Sequence, residues 1–245
     1  MSNKYEFFRN DLNYLDISDL KGLFIVIEGT DGVGRSTQIE NIKNWLEFEG
    51  YAVYTTGLGK SAIVKDAITE AKKGHNLNNY TFSMLYAADI ADRMENDIIP
   101  YLRAGYIVLA DRYIFTCMAR ALVRGIDKDW IKKLYSFALK PALTIYMRVN
   151  FNNLIPRVIN ADNLVENYWE LGLGSGLDYW EAGMDIRMGK DFYESFERYQ
   201  RRIIKEFNLM AEEYGFVTVD ARKGLKSTYK QLKKVISEAL ERWEF

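Results

Sequence analysis

Cysteine and histidine are almost absent from this chain of 245 residues, which has one of each, Cys117 and His75. A single cysteine excludes a disulfide within the chain, and the pair excludes a zinc site built from several cysteines and histidines. A Ser-His-Asp or Cys-His triad would have to use His75, whose polar surroundings, KKGHNLNN, favour a solvated loop histidine instead. The scarcity of cysteine also favours a reducing compartment.

Long apolar runs and a net charge are missing as well. No apolar run reaches the roughly 18 residues of a membrane-spanning helix, so we expect a cytoplasmic protein without a membrane partner. Acidic and basic side chains nearly cancel, with 34 Asp and Glu against 33 Lys and Arg. A chain of this charge has no general attraction for nucleic acid, so we expect no nucleic acid partner.

Short apolar runs alternate with longer helical patterns along the chain. The predicted strands are 23–28, 51–55, 106–110, 143–149 and 216–220. Helical periodicity marks 39–46, 80–104, 127–139, 192–214 and 225–242. This alternation predicts an α/β fold in which helices cover both faces of a parallel sheet.

Two regions lie outside this alternation. Residues 1–21 precede the first strand and are predicted to form a short helical N-terminal extension to a single domain, 22–245. Residues 160–190 have no sustained period, and the motifs NYWELG and DYWEAG lie in or beside this stretch. Their aromatic side chains either pack a long flap or form a surface for a substrate or partner.

The stretch EGTDGVGRSTQ, residues 28–38, resembles the phosphate-binding pattern G-x-x-x-x-G-K-[ST]. The apolar run LFIVIE precedes it and the helical pattern STQIENIKNWL follows it, as a phosphate loop requires. Ser36 stands where a hydroxyl binds Mg²⁺ in such loops. The predicted nucleotide-binding residues are Gly29, Thr30, Asp31, Gly32, Val33, Gly34, Arg35, Ser36 and Thr37.

Arg35 occupies the position of the lysine in this pattern. A guanidinium keeps the positive charge, but it is broad and planar where an ammonium is slim. We expect phosphate binding to survive, since the backbone amides form much of the cradle. Turnover is either reduced or maintained by a loop that has been reshaped around Arg35.

The motif ADRY follows the third predicted strand and supplies Asp111 and Arg112. Ligands in open α/β sheets bind beyond the carboxyl ends of the strands, which brings this motif to the phosphate loop. Asp111 is a candidate Mg²⁺ ligand, directly or through water, and Arg112 a candidate phosphate clamp. The alternative is an ion pair with a structural role at the end of the strand.

Taken together, these segments resemble the thymidylate kinase family of P-loop nucleoside monophosphate kinases over roughly 22–245. The resemblance depends on the ordered set FIVIEGTDGVGRSTQ, LYAADIADRMENDIIPYLRAGYIVLADRY, LTIYMRV, ESFERYQRRI and VTVDA. It implies a five-stranded parallel sheet, a mobile lid (here enlarged, at about 160–190), the co-substrates ATP and Mg²⁺, and a homodimer. The implied reaction converts thymidylate to its diphosphate.

The resemblance also implies roles for single residues. Asp31 matches an aspartate that contacts the acceptor sugar, Tyr86 an aromatic residue that stacks on the acceptor base, and Arg112 an arginine that reaches the acceptor phosphate. Gly32 lies where one branch of the family has a further arginine, so this chain resembles the branch with a catalytic arginine in the lid. Arg187 and Lys190 are the candidates here.

The departures from the family pattern fall on the acceptor side. Thr56 and Ile90 replace two expected arginines, and Arg93, one helical turn after Ile90, is a candidate substitute. ARAL replaces a run whose glutamine helps to read thymine, which puts Ala121 at the glutamine position. Alternatives therefore stay open: a kinase for another nucleoside monophosphate or a nucleoside, or a catalytically weak nucleotide-binding protein.

Overall fold

The computed structural model describes residues 5–9, 14–74, 77–155, 180 and 183–243. Parallel strands form one sheet in the order β2-β3-β1-β4-β5. The strands are β1 (Leu23–Glu28), β2 (Val53–Gly57), β3 (Ile107–Asp111), β4 (Leu143–Arg148) and β5 (Val217–Asp220). The predicted α/β class and the five-stranded parallel sheet are confirmed.

Helices follow the strands. They are α1 (Arg35–Phe48), α2 (Lys65–Gly74), α3 (Asn79–Arg93), α4 (Ile99–Arg103), α5 (Ile114–Val123), α6 (Lys128–Leu134), α7 (Phe192–Tyr214) and α8 (Leu225–Arg242). A π-helical turn spans Met94–Ile98, and short 3₁₀ turns span Met184–Ile186 and Ala221–Lys223. Residues 151–155 are also helical. No helix in the described ranges is long and apolar enough to cross a membrane.

The predicted helix at 80–104 is interrupted by the π-helical turn. Pro100, early in α4, has no backbone N–H to donate to the preceding turn, and its ring restricts that turn. The backbone before Pro100 changes from the α-helical to the π-helical hydrogen-bond pattern, which accommodates this restriction. The predicted helix at 127–139 is shorter than expected, because α6 ends at Leu134.

The central strand β1 is buried on both faces. Phe24 and Val26 belong to the apolar cluster on one face of the sheet, and Leu23, Ile25 and Ile27 belong to the cluster on the other. Successive side chains of a strand point to opposite faces, so an uninterrupted apolar run is what a doubly covered strand needs. This burial fixes β1 at the centre of the molecule.

The described parts of the N-terminal segment, 5–9 and 14–21, contain no helix, so the predicted helical extension is wrong for them. Phe7 forms an isolated antiparallel bridge with Leu139. The Tyr5 hydroxyl donates to a carbonyl 2.9 Å away and accepts a backbone N–H of β1 at 2.8 Å. These contacts with other segments take the place of the hydrogen bonds that a local helix would make.

Candidate active site

The segment between β1 and α1 has the shape of a phosphate loop. Gly29, Gly32 and Gly34 have φ angles of 156°, 74° and 93°, which side-chain-bearing residues rarely adopt. A Cβ atom on Gly29 would lie 3.1 Å from the carbonyl oxygen of Met147. The α1 helix begins directly after the loop, so its free N-terminal amides lie where an anion binds.

The Arg35 guanidinium lies between this loop and the end of β3. Its Nη1 donates to the carbonyl oxygen of Gly29 at 2.6 Å and to that of Thr30. Its Nε donates to Oδ1 of Asp111 at 2.8 Å. The side chain is only 7% exposed. Arg35 therefore fastens the loop to the neighbouring strand with hydrogen bonds that a lysine ammonium could not make in the same planar arrangement.

Ser36 and Asp111 form the candidate magnesium site. The Ser36 hydroxyl donates to Oδ2 of Asp111 at 3.0 Å, so two oxygen ligands lie side by side. Burial favours a raised pKa for Asp111, but the charges of Arg35 and Arg112 outweigh it and keep the pKa below its usual value. An ionised carboxylate and a hydroxyl fit Mg²⁺, which takes one or two protein oxygens and completes its shell with water and phosphate. No cluster of three or more acidic, His or Cys side chains occurs in the described part of the chain.

Asp31, a predicted acceptor residue, forms ion pairs with two arginines. Its carboxylate accepts a hydrogen bond from Arg112 and another, at 3.3 Å, from Nη2 of Arg120. Burial alone would raise the pKa of Asp31, but the charges of Arg112, Arg120 and Arg35 hold it well below its usual range. The structure thus brings Asp31 and Arg112 together as the sequence predicts, and it adds Arg120.

Arg112 has a left-handed backbone with φ of 70°. Such a conformation is uncommon for a residue with a side chain and costs about 1–3 kcal/mol when it occurs. Its N–H donates to the carbonyl oxygen of Ile27 in β1 at 3.1 Å. The turn after β3 is therefore held in a geometry that directs the Arg112 side chain to Asp31.

Glu28 accepts hydrogen bonds from the residues that follow the same turn, and the sequence analysis did not identify it as a site residue. This fully buried side chain accepts hydrogen bonds from the backbone N–H of Tyr113 at 2.9 Å and from the Thr116 hydroxyl at 2.6 Å. It thereby caps the start of α5. A glutamate directly before a phosphate loop is the sequence signal that could have identified it.

An open cavity of about 340 Å³ lies where these groups meet. One carboxylate, from Asp111, and several cationic side chains contribute to its wall: Arg35, Lys60, Lys72, Arg112 and Arg120. Excess positive charge of this kind suits a phosphate-bearing ligand. Lys72 and Thr69 of α2 are further wall residues that the sequence did not reveal.

A second cavity, with about 10 Å³ of free space, adjoins the first and shares Tyr86 and Arg120 with it. Its other walls include Phe82, Cys117 and Ala121. Burial raises the pKa of the Cys117 thiol to about 12, so this thiol is neutral. Four aromatic side chains thus line the smaller cavity, together with the guanidinium groups of Arg120 and Arg124.

Arg93 lies elsewhere, 1% exposed, and does not line either cavity. Its Nε donates to Asp89 at 3.2 Å and its Nη1 to the Thr56 hydroxyl at 3.0 Å. Asp89 in turn accepts the backbone N–H groups of Gly59 and Ser61 at 3.0 and 2.9 Å. The structure therefore gives Arg93 a supporting role under the loop that carries Lys60, and does not bring it to the acceptor residues.

Arg187 and Lys190 are also separate from the cavities. Both are exposed, and neither lines the described cavities. Arg187 has a left-handed φ of 44° after the 3₁₀ turn. Most of the predicted lid, like His75, lies outside the described residues. The catalytic role of either side chain stays a prediction.

Comparison with known proteins gives a consistent result. The thymidylate kinase family model matches residues 27–169. A probable thymidylate kinase 2 of Saccharolobus solfataricus is 37% identical over 223 residues, covering 91% of this chain and 99% of that protein. A thymidylate kinase of Mesoplasma florum is 28% identical over 231 residues, covering 91% of this chain and 98% of its own. A probable thymidylate kinase of Pyrococcus horikoshii is 32% identical over 155 residues, covering 60% and 75%.

Proposed function

Because the chain belongs to the thymidylate kinase family, we propose that it transfers the γ-phosphoryl group of ATP to thymidylate. The observation that carries this proposal is the pair of adjoining cavities. One borders the phosphate loop and is lined by five cationic side chains, the other is lined by four aromatic side chains, and Tyr86 and Arg120 belong to both. A nucleoside monophosphate has the matching chemistry, with an anionic phosphate for the cationic side chains and a planar base that stacks on aromatic rings.

The donor side is formed by the phosphate loop. Its amides and the N-terminus of α1 hold the β- and γ-phosphates of ATP, while Ser36 and Asp111 hold Mg²⁺, directly or through water. When bound, Mg²⁺ neutralises charge on the phosphate oxygens. Arg35 contributes its charge at the same place, after exchanging a loop carbonyl for a phosphate oxygen.

The acceptor side is formed by the cluster around Asp31. Arg112, with Arg120, holds the acceptor phosphate in the cationic cavity, and the Asp31 carboxylate accepts a hydrogen bond from the sugar. Tyr86 stacks on the base. Phosphoryl transfer depends on positioning and on charge neutralisation, both of which these side chains supply. Arg187 or Lys190 completes the site by reaching the transferring phosphoryl group.

Recognition of thymine is weaker than in relatives with a glutamine at the reading position. Ala121 lines the small cavity where an amide would be needed to pair with the base edge. Discrimination between bases comes from polar groups that a wrong base leaves unpaired. We therefore expect other pyrimidine monophosphates to be accepted as well.

Beyond the reaction, we propose a cytoplasmic homodimer whose kinase domain spans 22–245 and carries a lid at about 160–190. Tyr80 and Met84 of α3 are 43% and 47% exposed, which supports an apolar contact surface on this helix. The chain has a single, buried cysteine, Cys117, and a protein without disulfides of its own suits a reducing compartment.

A second candidate function is nucleotide binding with little turnover. It is favoured by the three hydrogen bonds that tie Arg35 to the loop and to Asp111, since Arg35 must release some of them to reach a phosphate. Turnover measurements separate this candidate from the kinase.

The test is ADP release with ATP and Mg²⁺ across thymidylate, deoxyuridylate, uridylate, cytidylate and guanylate. We expect thymidylate to give the fastest turnover, and Arg112→Ala to lose use of the acceptor while it still binds ATP. The exposed Arg201→Ala on α7 serves as the arginine control.

ADP release that no acceptor accelerates would favour the second candidate. A preference for thymidylate over deoxyuridylate of several hundredfold would refute relaxed recognition, because one methyl group contributes only about 1–3 kcal/mol.

A further inference from the structure

Trp180 is one of the aromatic residues that line the small cavity. The sequence analysis gave the aromatic side chains of this stretch two alternative roles, packing a flap or forming a surface for a substrate or partner. Its indole centroid is 6.2 Å from the Tyr86 ring, with 31° between the ring planes. Phe82 contacts both rings edge-on, with centroids 4.5 Å from Trp180 and 5.2 Å from Tyr86. Trp180 is 8% exposed. Tyr86 and Trp180 thus line the same small cavity, with 31° between their ring planes.

A buried arginine holds the indole in this position. The Arg124 guanidinium lies 3.7 Å from the indole centroid, and its Nη2 donates to the Trp180 carbonyl oxygen. Arg124 also makes a two-pronged ion pair with Asp185, at 2.8 and 2.9 Å, and donates to the Tyr199 hydroxyl at 2.6 Å. This network connects α5, α7 and the turn at Met184–Ile186 to a single aromatic side chain.

We propose that Trp180 is the second wall of the acceptor base site, so that the base is stacked between Tyr86 and Trp180. This inference rests on the proposed nucleoside monophosphate kinase function. A base between two rings needs a separation of roughly 7 Å, twice the distance of about 3.5 Å between stacked atoms. The two centroids are now 6.2 Å apart with the ring planes tilted by 31°, so the rings have to separate and become more parallel before a base enters.

Stacking on both faces explains how the site binds a base without the missing amide. Two hydroxyl groups at the edge of the cavity already donate hydrogen bonds within the protein. The Ser83 hydroxyl donates to the Asn79 carbonyl at 2.8 Å, and the Tyr135 hydroxyl donates to the Ser83 carbonyl at 3.2 Å. Every base offers two π faces, so stacking gives affinity with little dependence on base identity. The double wall thus supports tight but permissive binding.

Tryptophan fluorescence and steady-state kinetics test the second wall. Thymidylate without ATP should quench the fluorescence of the parent protein, and Trp180→Phe should lose that change yet keep its KM for thymidylate, since a phenyl ring still stacks. Trp180→Ala should raise the KM for thymidylate at least about fivefold and leave the KM for ATP unchanged. Trp243→Phe is the control. The Trp243 indole donates to the Lys21 carbonyl and does not line the cavity, so this variant should behave as the parent.

Asp185→Asn tests the network that positions the indole. Because it weakens the Arg124 ion pair without removing an aromatic ring, it should raise the KM for thymidylate by a smaller factor than Trp180→Ala, again with the KM for ATP unchanged. A parent protein that phosphorylates thymidylate, together with a Trp180→Ala variant of unchanged KM, would overturn the second wall and leave the kinase function intact. Quenching that persists in Trp180→Phe would overturn it too. A parent protein inactive with every monophosphate would instead refute the kinase function.

Discussion

At the scale of single residues, Arg35 is the feature that we expect to affect turnover most. Its hydrogen bonds to the carbonyls of Gly29 and Thr30 and to Asp111 use the breadth of the guanidinium to tie loop and strand together. These bonds bring a positive charge to the phosphate site and also restrain it. The sequence identified the unusual residue, but the partners of a guanidinium depend on the distance to another strand, which a local motif does not contain.

The Arg35→Ala variant should turn over at least about tenfold more slowly than the parent, a loss of about 1.4 kcal/mol of transition-state stabilisation. The variant loses the charge beside the phosphates and leaves the Asp111 carboxylate without its closest cation. The measurement is kcat and the KM for ATP, with Arg201→Ala as the exposed arginine control. Equal turnover in Arg35→Ala and the parent would exclude Arg35 from catalysis.

At the scale of elements, α5 and the turn before it hold the arginines that we propose for the acceptor side. The helix carries Arg120, which lines both cavities, and ends at its cap residue Arg124, which lines the smaller one. Glu28 of β1 caps its start. The sequence analysis missed α5, although Thr116 and Arg120, four residues apart, give the segment IFTCMARALV one polar side on an otherwise apolar helix. Two polar residues in a ten-residue segment are a weak local signal for a helix.

The placement of Arg93 shows the same limit. Residues one turn apart do share a face of a helix, but the sequence does not say which neighbour that face meets. In the structure Arg93 meets Thr56 of β2 and pairs with Asp89 of its own helix. The strands and the phosphate loop could be predicted because their signals are local, whereas a side chain's partner on another element is not a local property.

The helix cap at Glu28 leads to a prediction about pH. Burial raises the pKa of Glu28 to about 7, although hydrogen bonds from Thr116 and Tyr113 and nearby arginines act in the opposite direction. The folded protein therefore holds this proton more tightly than the unfolded chain does. The stabilisation is present in full below the ordinary pKa of 4.5 and is lost as the pH rises through about 7.

Denaturation by urea at several pH values measures this effect. The free energy of unfolding of the parent, relative to the non-titrating Glu28→Gln variant, should fall by up to about 3 kcal/mol between about pH 5 and pH 8. The exposed Glu40→Gln variant on α1 is the matched control and should follow the parent. Parallel curves for the parent and Glu28→Gln would show that Glu28 does not titrate in this range.

At the scale of the whole molecule, charge is distributed unevenly. The formal net charge is only −1, yet several cations converge on one cavity at the carboxyl ends of the parallel strands. Parallel strands put all their carboxyl ends at one edge, so loops far apart in the chain deliver charge to one place. Near-neutral composition therefore says nothing about affinity for a small anion, and the phosphate loop is where that affinity is expected.

Binding of ATP at the loop should raise the stability of the entire fold. At a hundredfold excess over Kd the gain is about 2.7 kcal/mol, or roughly 5–10 °C in Tm for a chain of this size. Gly34→Ala should lose most of this rise, because the added methyl group disturbs a loop whose φ of 93° favours glycine.

Gly50→Ala is the matched control, since Gly50 has a φ of 92° with nothing within 4 Å of the added Cβ. Both variants should melt earlier without ligand, since both carry the same backbone strain, but Gly50→Ala should keep the full response to ATP and Mg²⁺. If both variants respond equally, the loop does not bind the phosphates of ATP.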